Sequence, residues 1–65
     1  MQGVVTGFDE PRGWGVVESD GRALPFHCTR ISDGTRTIAV GTAVTFEVEP
    51  GGMGRWEAVA VTPAG

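Results

Sequence analysis

Residues 12–27 read Arg12-Gly13-Trp14-Gly15-Val16-Val17-Glu18-Ser19-Asp20-Gly21-Arg22-Ala23-Leu24-Pro25-Phe26-His27, and their reading decides the fold. Two short runs of apolar and aromatic residues flank Asp20-Gly21, a pair that suits a tight hairpin turn. Strict alternation then sorts the side chains. In the run Trp14–Ser19, one face carries Trp14, Val16 and Glu18, and the other Gly15 and Val17. A face that carries Glu18 is the wet one, so Trp14 is predicted to stand exposed or half-exposed. In the run Ala23–Cys28, Leu24, Phe26 and Cys28 share a face, and Leu24 and Phe26 suit a core. Pro25 and His27 take the opposite face, which sets His27 beside Trp14 on the neighbouring strand.

The same reading extends outward in both directions. A first strand is expected over Gln2–Phe8, with Gly7 marking a bulge or sharp bend. Asp9-Glu10-Pro11-Arg12-Gly13 is a turn. Thr29–Ile38 reads as a loop that opens with one helical turn. Ala43–Glu49 is a fourth strand, with Val44, Phe46 and Val48 on one face and Thr45, Glu47 and Glu49 on the other. Pro50–Gly54 is a flexible loop, Trp56–Thr62 a fifth strand, and Pro63-Ala64-Gly65 a loose tail. No stretch of ten residues has helical periodicity. Short strands with regular turn signals point to an all-β sandwich or barrel.

Size narrows the choice. A chain of 65 residues is one domain, expected over 1–65. Such a domain buries only about 60% of the surface its unfolded chain exposes. One cysteine allows no internal disulfide, and no Cys/His cluster offers a metal site. No cofactor is expected. A closed sheet, which removes exposed edges, is the remaining route to stability.

The net charge of −3 argues against a protein that coats duplex DNA, which asks for a basic surface. It leaves single strands open, because base stacking supplies much of their binding energy. All five basic residues are arginines: Arg12, Arg22, Arg30, Arg36 and Arg55. Arginine pairs bidentately with phosphate and stacks on bases. No secretory leader or membrane-length apolar run is visible, so the cytoplasm is the expected compartment.

An exposed Trp beside an exposed His makes a stacking platform for bases, each worth roughly 1–3 kcal/mol. The alternation pattern equally allows Trp14 to cap the core, with His27 an incidental surface residue. At this point the order of residues adds information. Phe8-Asp9, Arg12-Gly13-Trp14-Gly15-Val16-Val17, Leu24-Pro25-Phe26-His27, Gly34-Thr35-Arg36-Thr37-Ile38, Gly41 and Val44-Thr45-Phe46-Glu47-Val48 together resemble the bacterial cold-shock proteins. The resemblance runs from Gly3 to about Val61. It implies a five-stranded antiparallel OB-fold barrel that binds single-stranded RNA and DNA. In that family two motifs on neighbouring strands carry binding. Lys-Gly-Phe-Gly-Phe-Ile stands here as Arg12–Val17, and Val-Phe-Val-His-Phe as Leu24–Cys28.

The departures are as informative as the match. Trp14 keeps a ring where the family has Phe, and His27 matches. Val16 and Pro25 stand where the family has outward Phe residues, Cys28 replaces a further aromatic, Gly7 an exposed Trp, and Thr35 a loop Phe. Phe26 falls on an inward position and adds core volume. At ~1 kcal/mol per lost ring, the erosion weakens binding by about two to four orders of magnitude.

Several residues offset the loss. Phe8 matches a family aromatic at the edge of the face, Arg12 the motif's basic residue, and Arg36 a basic residue of the loop. Trp56 has no aromatic counterpart. It either joins Trp14 and His27 in a reduced stacking surface or covers the barrel mouth. Arg30 and Arg55 could add phosphate contacts. The candidate nucleic-acid-binding set is therefore Trp14, His27, Phe8, Arg12, Trp56 and Arg36, with Val16 and Pro25 on the same face.

Enzymatic readings find no support. His27 and Cys28 are expected to diverge to opposite faces of a strand and so to form no nucleophile–base pair. Cys28 is expected to be a small apolar residue, buried or at a strand end. The first functional reading is a monomeric single-strand binder, an RNA chaperone or a regulator of transcription or translation, as the resemblance implies. The alternative keeps the barrel and turns the same face, or Trp56, toward a protein partner.

Overall fold

The structure, a computed structural model, describes residues 1–64, the side chain of Met53 excepted. Five strands follow in order: β1 (Gln2–Asp9), β2 (Trp14–Ser19), β3 (Arg22–His27), β4 (Ala43–Pro50) and β5 (Trp56–Pro63). No α-helix forms among the described residues; Cys28–Arg30 and Gly52–Gly54 are single 3-10 turns. The second falls in a segment expected to be a loop, while the first begins at Cys28, expected to end the third strand, and runs into the loop expected to open with a helical turn. Of the tail, Pro63 closes β5, and the Ala64 amide donates to the Ala43 carbonyl at 2.8 Å. Gly65 lies outside the described residues.

The local chemistry explains the connections. Asp20 and Gly21 both take positive φ, 51° and 75°. That combination fits the twist of a two-residue hairpin, and it sets Ser19 opposite Arg22. In β1 the pairing with β2 slips between Val5 and Gly7, so Thr6 is the extra residue of a bulge. Gly13 has φ of 71°, and a Cβ there would meet Cys28 Sγ at 2.8 Å. Its carbonyl accepts the Cys28 N–H at 2.7 Å, which fastens the end of β3 to the β1–β2 turn.

All pairings are antiparallel, in the order β3-β2-β1-β4-β5. The expected closed sheet needs one correction. The ladder does not join β3 to β5. These edge strands run side by side in the same direction, and among the described residues the backbone bridges between that side and β5 come only beyond the end of β3. There Ile31 bridges Val61 in parallel fashion, and Ser32 N–H donates to Val61 O at 2.8 Å. The physical reason is local. β3 stops at His27, where the chain turns into the 3-10 segment, and Pro25 has no N–H for a ladder, which suits it to an edge strand.

The strands still wrap one core. Val5, Val17, Leu24, Phe26, Val44, Phe46, Ala58 and Val61 are buried, with Ile31 plugging the seam end. Phe26 has no exposed surface and stacks on Phe8, ring centroids 6.1 Å apart. Gly15 lies between β1 and β3, and any Cβ there would collide with the Phe26 ring and approach Phe8 at 2.9 Å. The alternation predicted for β2 and β3 holds: Val17, Leu24 and Phe26 point in, and Trp14 points out.

Candidate nucleic-acid interface

Two rungs of the outward face of β1–β2–β3 form the candidate surface, and a third, Val4–Glu18–Ala23, lies beyond them. Pairing sets Asp9, Trp14 and His27 abreast in the first, and Gly7, Val16 and Pro25 in the second. The inward rung Phe8–Gly15–Phe26 lies between them and holds the spacing.

Trp14 is 44% exposed, and its ring lies 5.0 Å from that of His27 at an interplanar angle of 78°. The two rings thus form one edge-to-face surface. His27 is half-buried and fixed by its neighbour. Its Nδ1 accepts the Thr29 N–H at 3.3 Å, capping the 3-10 turn, and meets Thr29 Oγ1 at 2.8 Å. An accepting Nδ1 places the ring proton of the neutral imidazole on Nε2.

The expected divergence of His27 and Cys28 is corrected by the same turn. Alternation lapses once the strand ends at His27, and Cys28 begins the 3-10 segment. Cys28 Sγ consequently lies 4.0 Å from His27 Nδ1. That nitrogen is already engaged by Thr29, so the proximity does not assemble a nucleophile and base. Cys28 itself is half-buried against the core.

Three depressions run together across this face. The central one, about 430 Å³, is lined by Gly7, Phe8, Trp14, Val16 and Pro25 among others. The space above Gly7 is open, with nothing within 4 Å of where a Cβ would stand. On one side it meets a depression of about 530 Å³ between Phe8, Glu10 and the segment Thr37–Val40. Thr37 Oγ1 donates to Glu10 at 3.2 Å and ties that segment to the β1–β2 turn. On the other side, Trp14 and Pro25 share a depression of about 420 Å³ with Gly52, Arg55 and Glu57. Shared residues make the three a continuous trough, with Phe8 and Trp14 as its steps.

The remaining predicted residues divide. Arg36 is exposed beside Thr37 at one end of the trough, and Arg12 is exposed near Asp9, 3.8 Å away. Arg55 enters the other end. Arg30 is held by Glu49 at 3.1 Å, which draws it away from phosphate. Trp56 does not join Trp14 and His27. It lies on the inward alternation of β5 with Ala58, 51% exposed, and lines a separate cavity at the barrel mouth with Leu24 and Val48. Glu57 is the residue sequence reasoning missed. Alternation along Trp56–Ala58 puts it outward, and that signal was available.

Asp33 in the β3–β4 loop has its carboxyl held below the ordinary value, first by the Thr35 N–H and then by the Thr35 hydroxyl. These donate at 3.0 and 2.8 Å and favour the charged form.

Five antiparallel strands wound as a small OB-type barrel, with an aromatic rung facing out, define a domain of the nucleic-acid-binding class. A model of the 'Cold-shock' DNA-binding domain matches residues 1–64, and the chain belongs to that family. It is 44% identical over 64 residues to glycine-rich protein 2 of Nicotiana sylvestris, covering 94% of this chain and 30% of that relative. Among solved structures it is similar to Drosophila Unr CSD456, with a TM-score of 0.79 and 26% identity. That likeness covers 98% of this chain and 26% of the other. The chain therefore spans less than a third of the length of either relative.

Proposed function

We propose that this protein binds single-stranded RNA or DNA along the trough, acting in the cytoplasm as a monomeric RNA chaperone or regulator of transcription or translation. The observation that carries this reading is the Trp14–His27 rung: two rings of adjacent strands, paired in register and turned outward. Bases unstacked from one another would lie on Trp14 and His27 and across Phe8. The stripped rung Gly7–Val16–Pro25 offers apolar contact without a ring. Arg12, Arg36 and Arg55 would meet phosphates along the way. A strand held like this is kept from pairing, which is how such a surface would serve as a chaperone.

Titration with a single-stranded heptanucleotide, followed by Trp emission, tests the reading. Binding should weaken by about tenfold or more in a Trp14→Ala, His27→Ala double variant, given ~1–3 kcal/mol for each stacked base. A duplex of the same sequence should bind more weakly than the single strand. Equal affinity of the double variant and the parent protein would refute the assignment.

A further inference from the structure

The cavity at the barrel mouth shares no lining residue with the trough. It measures about 300 Å³, at the foot of the range of ~300–1,000 Å³ for small-ligand sites. Met1, Leu24 and Val48 contribute apolar surface and Trp56 a half-exposed indole, while Asp20 and Arg22 bring opposite charges. Among the described residues Arg22 has no carboxylate within 4.0 Å, so its guanidinium is available.

The position of the cavity follows from the open seam. β3 and β5 run side by side without a ladder, and the cavity lies beside their starting halves, at Arg22–Leu24 and Trp56. The trough reaches the same seam from outside, at Pro25, Arg55 and Glu57. Leu24 and Pro25 are neighbours in β3, as are Arg55, Trp56 and Glu57 around the start of β5. The two sites are therefore separated by one strand rim, and Arg55 stands at the crossing.

We propose that the mouth cavity is a second stacking position for the strand held in the trough, taking one further nucleobase against the Trp56 indole. Arg55 and Arg22 would meet the phosphates on either side of the rim, and Asp20 would accept from the base's exocyclic amine or ring N–H. The proposal rests on the reading that the trough binds single strands. It adds a length dependence: only an oligonucleotide long enough to turn the rim reaches Trp56.

The test uses tetrathymidylate and nonathymidylate carrying a fluorescent label. Label anisotropy reports binding. Trp emission in a Trp14→Phe variant, which keeps a ring on the face, reports Trp56 alone. The expected result is that both oligonucleotides bind and only the longer one changes Trp56 emission. Trp56→Ala should lower affinity for the nonamer by about tenfold and leave the tetramer unchanged. Arg22→Ala, an exposed change that spares the core, should show the same length-selective loss and covers the case in which Trp56→Ala unfolds the barrel. If the nonamer binds without altering Trp56 emission, the second position falls while the trough stands. If neither oligonucleotide binds the parent protein, the trough reading fails and takes the second position with it.

Discussion

Ala60 takes a φ of 52°, a region where its Cβ crowds the following carbonyl. It sits where the β4–β5 pairing slips, with Thr45 opposite Thr62 but Glu47 opposite Val59. Ala60 and Val61 together face Phe46, so β5 carries a bulge whose first residue is left-handed. Glycine is at ease in that geometry. Ala60→Gly should raise stability by about 0.5–1 kcal/mol, the relief of strain less the extra chain entropy. Urea unfolding would show a higher midpoint at unchanged slope; an equal or lower midpoint would contradict the strain. Single residues also mark where sequence reading held and where it lapsed. Period-two alternation alone turned Trp14 and His27 outward and Phe26 inward, because those positions lie within regular strand. It placed Cys28 against the core and missed its approach to His27, because Cys28 lies one residue past the strand end and begins a 3-10 turn.

Among the elements, the β2–β3 hairpin was the most legible. The limits of β2 and the turn at Asp20-Gly21 follow from local chemistry, and β3 moved by one residue at each end. The loop after it was harder to read. Its conformation depends on side chains reaching back to the backbone, as Asp33 does to Thr35. That contact has a measurable signature. The Thr35 N–H and hydroxyl favour ionised Asp33, so its folded pKa lies below the unfolded value. The stabilisation is full above the ordinary aspartate range and is lost as pH falls through the depressed value. Thr35→Val removes one of the two donors. NMR titration of the Asp33 carboxyl should show its midpoint moving up toward the ordinary value; no movement would mean that the hydroxyl contributes nothing. Glu49 and Glu57 face each other across β4 and β5, an unfavourable like-charge pair. The bridge from Arg30 to Glu49 offsets it.

At the scale of the whole molecule, charge limits how the proposed binding responds to salt. The chain is acidic, and one of its five arginines is tied to Glu49. With four left to meet phosphates and about 0.7 in log–log slope for each on a single strand, the slope should be no steeper than about −3. Measuring affinity across a salt series checks this; a slope near ~−6 would require phosphate contacts that these arginines do not supply. Barrel topology was legible through the family resemblance, and the open seam was not, since it depends on where two distant strands end. That seam has a cost and a safeguard. Strands with unsatisfied backbone groups invite other molecules to add on, the first step toward fibrils. Pro25 interrupts the row of donors along one such border. Pro25→Val would remove the interruption, and light scattering of concentrated solutions should then register slow growth of aggregates that the parent protein resists. On this reading, the residue that deprives the proposed binding face of a ring would also hold copies of the chain apart.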